Sequence, residues 1–238
     1  MANLVPSNII DISNINRFVF YAGGVIGPCI GAYLTTFITK KGEGLKLLWR
    51  RVWSFNFEKR WLIPTIFVMP CLFIFLMFIM QTTEGRILNP SYIILWFILY
   101  YIAAAFEEVG WRGYALDRLQ SKTYSLFSSI ILGLVWGLWH LPLLIYYWFW
   151  HVRDIGYYLI FVVLLSIMFT FLYNNTRRSI IIATLFHTII NLCLQFLFPI
   201  HEVTPGYIYL NSLLVIIVLI LIVIYGPKHL SRKNNVSK

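Results

Sequence analysis

A bundle of about seven membrane-crossing helices, all-α, is the fold class this sequence predicts, and three observations predict it. Only 12% of the 238 residues are charged, about half the share of a soluble domain. Apolar runs near twenty residues recur along the chain, each long enough to cross a bilayer as a helix. Inside lipid the backbone must satisfy its own polar groups, and runs of this length do so as helices. The basic residues, finally, alternate from one side of the runs to the other. Six to eight spans bracket the count.

The spans fall at about 18–38, 61–80, 92–118, 124–146, 157–173, 179–198 and 208–225. The first keeps its place as a span because no basic cluster precedes it and no small-residue cleavage pattern follows. Between the first two, Leu45 to Phe57 mixes Leu47, Leu48, Trp49, Trp53 and Phe55 with Lys46, Arg50 and Arg51. That pattern predicts an amphipathic helix lying on the membrane surface. The third span is long because it takes in a polar stretch at its end. Cys29, Cys71 and Cys193 fall inside spans, far apart, and read as small apolar residues rather than a disulfide or metal framework.

Orientation follows from lysine and arginine. Sixteen of the 19 basic residues lie in segment 39–60, around the turn after the third span, in the turn after the fifth, and in the tail. The other side has only Arg17, Arg86 and Arg153. This puts the N-terminus outside and the C-terminus in the cytoplasm. The net charge of +10 is thus accounted for by topology and by anionic lipid as a partner. A nucleic-acid reading would need a basic face on a soluble domain, and none is present. The small size points to a bacterial cell membrane.

Chemistry is concentrated in the third, fourth and sixth spans. Glu107 and Glu108 stand side by side after an apolar run, although the chain has only nine acidic residues. Charges at membrane depth are costly and usually functional. On a helix Glu108 and Arg112 are four apart and can pair; Glu107 points about a hundred degrees away. His140 lies late in the fourth span, after Trp136. His187 and Asn191 lie four apart on one face of the sixth. Glu107 and His140 are equidistant from the polar turn at 121–123, each roughly 24 Å along its helix from it. An antiparallel hairpin therefore sets them level. Gly110, Gly113, Gly133 and Gly137 would let helices approach closely, and Pro142 would free the carbonyl of Leu138.

These residues resemble a known family, the CAAX-protease and bacteriocin-processing membrane endopeptidases, also called the Abi family. Its Glu-Glu-x-x-x-Arg motif stands as Glu107, Glu108 and Arg112. Its aromatic-x-x-x-His motif stands as Trp136 and His140, with Trp where the family more often has Phe. Its His-x-x-x-Asn motif stands as His187 and Asn191, and Asn175-Thr176-Arg177 resembles the polar turn before it. The resemblance covers about 100–195. It implies N-terminal spans over 1–90, a catalytic core over 91–198, and a last span with a basic tail over 199–238.

The groups themselves suggest the chemistry. A carboxylate lifted out of water holds a proton more readily and can serve as general base. Glu107, helped by His140, can activate a water. His187 and Asn191 can donate to the tetrahedral oxyanion. Glu108 and Arg112, with Trp136, would support the site. The resemblance implies the same mechanism, acting on a peptide or protein substrate in the membrane. No serine or cysteine stands with a base in an evident triad. Glu107, His140 and His187 can in principle make an open zinc site, but the chain lacks His-Glu-x-x-His, and Glu107 cannot easily be both base and ligand. The expectation is therefore no cofactor, with zinc as the alternative. Two other classes compete. The family is also associated with bacteriocin self-immunity, a binding role. A transporter would show matching broken helices in two halves, and none is evident.

Overall fold

The computed structural model describes residues 15–80, 90–148, 152–197 and 204–232, and every regular element among them is helical. In chain order these are α1 (Ile15–Val52), a 3-10 turn (Lys59–Trp61), α2 (Leu62–Met80), α3 (Pro90–Gly110), a π-helical stretch (Trp111–Leu116), and α4 (Asp117–Gln120). Then come α5 (Ser125–Trp148), α6 (Val152–Asn175), α7 (Ile180–Leu192), a second π stretch (Cys193–Leu197) and α8 (Thr204–Tyr225). Seven of these helical runs are long and apolar enough to cross a membrane. The protein is a multi-pass membrane protein. Its outward faces are those of a lipid-bathed bundle, with Phe78 and Val223 about 80% exposed.

Two boundaries differ from expectation. The first span does not stop near residue 38: helix continues to Val52 across a kink at Lys41, whose φ is 52° and ψ −150°. The amphipathic segment is the part beyond the kink. It ends at Val52 rather than Phe57, because Ser54 to Phe57 leave the helix before the 3-10 turn. It is also more than a surface float. Leu48 is buried, and Arg51 donates to the carbonyl of Gly113 at 3.1 Å and pairs with Asp117 at 2.8 Å. The other difference is the end of the third span. Helix runs unbroken from Pro90 to Gln120, but widens to π geometry over Trp111–Leu116. Of the basic residues used for orientation, Arg86, Lys233 and Lys238 lie outside the described residues.

Close helix approaches occur at the expected glycines. A Cβ on Gly133 would stand 2.8 Å from Cα of Val163, seating α5 on α6; one on Gly110 would stand 2.5 Å from the carbonyl oxygen of Pro28, seating α3 on α1. α3 also packs on α7, and α6 on α8. α5 continues through Pro142. The core between them is aromatic and aliphatic, with Phe73, Phe169, Tyr173 and Phe186 fully buried.

One end of the bundle is closed by a polar clasp. Asn174 donates to Gln120 and to the carbonyl of His229; Asn175 donates to the carbonyls of Phe171 and Leu230. The first amides of α5, Ser125 and Leu126, donate to the carbonyls of Lys228 and Pro227. The tail thus caps a helix start that would otherwise leave free N–H groups. Arg177 and Arg178 adopt left-handed φ of 53° and 60°, a strained turn of about 1–3 kcal/mol per residue. The turn is held by Arg178 N donating to the Tyr173 carbonyl and by Arg177 on Asn56. Ser179 then caps α7 by accepting from Ile182 N. This fixes where α7 begins, and hence the height of His187.

Candidate active site

Three helices meet at Trp136. Its indole N–H, on α5, donates to Oε2 of Glu107 on α3 at 3.0 Å. Its ring stands edge-on to the imidazoles of His140 and His187, with centroids 5.9 and 5.3 Å away. The guanidinium of Arg112 lies over the same ring at 4.7 Å and over Phe169 at 3.9 Å. Glu107, Glu108, Arg112 and His187 are each less than a tenth exposed, so these polar groups have little water to answer them.

The two glutamates part company at this ring. Glu108 Oε1 accepts from Arg112 Nη1 and from His187 Nδ1, each at 2.8 Å. The pair with Arg112 is the i,i+4 contact that α-helical spacing dictates. The pair with His187 joins α3 to α7. Breaking such a buried pair by removing one partner costs about 3–5 kcal/mol, so these contacts lock the two helices in rotation. Arg112 keeps Nε and Nη2 without a protein partner, and Glu108 keeps Oε2; the Trp136 and Phe169 rings against the guanidinium offset part of that cost.

Glu107 points the other way, toward α5. Nε2 of His140 lies 3.8 Å from its Oε2. Nδ1 of the same ring donates to the carbonyl of Trp136 at 2.8 Å, so Nε2 is the nitrogen left to face the carboxylate. At 3.8 Å the two atoms do not bond directly. One water at about 2.8 Å from each would complete a triangle. His140, like Asn191, is only half-buried, so this corner of the site is not sealed inside the bundle. Asn191 is one turn beyond His187 on α7; it is half-buried and makes no side-chain hydrogen bond among the described residues. All seven residues singled out in the sequence therefore lie on α3, α5 and α7 or on the π stretch after α3, six of them tied by the contacts above.

Among the described residues no three His, Cys, Asp or Glu side chains gather to hold an ion.

The π stretch carries a further set that sequence reasoning did not reach. Opening the helix there changes which carbonyls have intrahelical partners, and Arg51 fills one of them, at Gly113. Arg51 and Asp117 both bond the buried Tyr173 hydroxyl. The signal was present as an arginine on an amphipathic face and an aspartate at the end of a span, but neither names its partner. Trp139, next to His140, meets Trp111 edge-on at 6.0 Å and donates to the carbonyl of Gly24 on α1 at 2.9 Å.

Fold and site together define a polytopic membrane protein with a buried pair of glutamates, each facing a histidine. Comparison with known proteins gives this class its family. A family profile described as type II CAAX prenyl endopeptidase, Rce1-like, matches residues 89–193. A CAAX prenyl protease 2 from Methanococcus maripaludis is 32% identical over 188 residues, covering 71% of this chain and 69% of that protein. Lysostaphin resistance protein A from Staphylococcus haemolyticus is 28% identical over 121 residues, covering 50% of this chain and 31% of that protein. The chain belongs to the type II CAAX prenyl endopeptidase family and is an intramembrane peptidase.

Proposed function

We propose that this protein hydrolyses a peptide bond of a membrane-associated or lipidated protein by water activated at Glu107, without a metal. The observation that carries the reading is the Glu107–His140 pair. A buried carboxylate and a ring nitrogen stand 3.8 Å apart, at a corner of the site where His140 is only half-buried. A water held between them gives its proton to Glu107 as it attacks the scissile carbonyl. Glu107 then returns that proton to the leaving amine. His187, its Nδ1 given to Glu108, presents Nε2 to the substrate; with a proton there it donates to the developing oxyanion, and the Asn191 amide, one turn on, adds a second N–H. Glu108 and Arg112 hold α3 and α7 so that the base and the oxyanion donors keep their separation. Trp136 holds Glu107 in the same way.

The basic side of the bundle supports an N-terminus outside and a C-terminus in the cytoplasm. The substrate would then be cut near the inner leaflet. A farnesylated peptide with a C-terminal CAAX sequence, incubated with the purified protein in lipid nanodiscs and read by mass spectrometry, should lose its last three residues. The same peptide without its lipid should be cut at least tenfold more slowly. Equal cleavage of both would remove lipidation from the reading; cleavage of neither would remove the CAAX substrate class. The likeness to a lysostaphin resistance protein favours a second role in immunity. If resistance conferred by this chain persists in Glu107→Gln, that role is one of binding rather than hydrolysis.

A further inference from the structure

At the basic end of the bundle, away from Glu107, the ends of three spans enclose a cleft of about 240 Å³ lined by Arg60, Trp61, Pro64, Asn175, Tyr225 and Arg232. Its position is set by the fold. Span two begins at Lys59, span five ends at Asn175 and span seven ends at Tyr225, so the cleft lies at the membrane boundary. Three aromatic rings back it in a row: Trp61 meets Phe171 at 5.6 Å, and Phe171 meets Tyr225 at 4.8 Å. Asn175 is 4% exposed, and its amide hydrogens are held by the carbonyls of Phe171 and Leu230, which makes that wall rigid.

Charge in the cleft is one-sided. Arg60 pairs with Glu58 at 2.7 Å, but both side chains are largely exposed, and such a pair contributes little. Arg232 has no acidic partner among the described residues. Lys59 and Lys228 flank the lining residues in sequence. A rim with two guanidiniums beside an indole and a phenol fits one chemistry at this depth. Guanidinium forks match phosphate oxygens, while tryptophan and tyrosine sit at the headgroup level. The volume is below the range of about 300–1,000 Å³ that takes whole drug-sized ligands, so a headgroup fits with its acyl chains left outside among the apolar faces of α2 and α8.

We propose that this cleft binds the phosphate headgroup of an anionic phospholipid, at a site separate from the peptidase centre. The geometry selects a lipid over free phosphate because the lining belongs to the interfacial ends of spans. It favours phosphate over a peptide carboxylate because two arginines line one small volume, and a phosphate offers oxygens enough for both.

The test is native mass spectrometry of the full-length protein released from nanodiscs of phosphatidylcholine with a tenth phosphatidylglycerol. The protein should retain one phosphatidylglycerol in preference to phosphatidylcholine. The Arg60→Gln/Arg232→Gln double variant should lose that preference by about thirtyfold, as expected for two basic side chains at a membrane surface. Lys40→Gln/Lys41→Gln, which removes the same charge on the same side of the first span, should keep it. Millimolar inorganic phosphate should not displace the lipid. Equal loss in both double variants would show a diffuse surface field and overturn the site. Displacement by inorganic phosphate would overturn the lipid as its ligand. Arg232→Gln alone, at an exposed tail position, provides a variant that leaves the bundle ends intact, and retention of full preference there and in the double variant would also refute the proposal.

Discussion

Trp136 separates the duties of two adjacent carboxylates. It donates to Glu107 and offers its faces and edges to His140, His187 and Arg112. A hydrogen bond to a charged group contributes about 1.5–3 kcal/mol. Trp136→Phe keeps an aromatic body against Phe169 and removes only that donor. It should fold normally and lower kcat about tenfold in a peptide-cleavage assay, with KM little changed. Trp136→Ala should instead lower the thermal unfolding temperature in detergent, since a large aromatic truncation costs about 3–5 kcal/mol. Much at this scale was legible. The Glu108–Arg112 pair follows from helical spacing alone, and the level of Glu107 with His140 follows from counting residues to the turn. The Glu108–His187 bond was not legible. It depends on how α3 and α7 are rotated against each other, which no spacing within one helix contains.

At the scale of elements, glycine and π geometry do the positioning. Gly110 and Gly113 both lie close to neighbours, but the neighbours differ. A Cβ on Gly110 would meet the backbone of Pro28 at 2.5 Å; on Gly113 it would meet the tip of Ile180 at 3.0 Å and Leu48 at 3.4 Å. Backbone cannot move aside and side-chain tips can. Gly110→Ala should therefore destabilise the protein by about 1–3 kcal/mol, read as a lowered unfolding temperature, while Gly113→Ala should cost clearly less. Equal losses would mean that α1 and α3 are not seated as described. The glycines were visible in the sequence as small residues in spans. The π stretch was not, because nothing in Trp111–Leu116 departs from an ordinary helical pattern; it is imposed by packing. The kink at Lys41 escaped for a similar reason, since left-handed φ at a lysine is set by where Arg51 and Leu48 must dock.

Across the whole molecule, the alternation of basic residues predicts which face meets the cytoplasm. Ser121 is exposed in the turn between α4 and α5. In a variant with Cys29, Cys71 and Cys193 replaced by serine, Ser121→Cys should react with a membrane-impermeant maleimide in inverted vesicles and stay unlabelled in right-side-out ones. The opposite pattern would reverse the topology. Seven spans were legible because lipid demands long apolar helices and leaves few alternatives. The clasp between the tail, α6 and the start of α5 was not, because most of its hydrogen bonds run to backbone carbonyls that every sequence possesses.

The role of Glu107 is tested most directly by turnover of a lipidated peptide by the purified protein, wild type against Glu107→Gln, each with and without a chelator. General-base catalysis contributes about 10²–10⁴ in rate. The variant should lose at least 100-fold in kcat with unchanged substrate binding and folding, and the chelator should leave the wild-type rate intact. A variant that cuts at the wild-type rate, or a wild-type rate abolished by chelation and restored by zinc, would contradict the account.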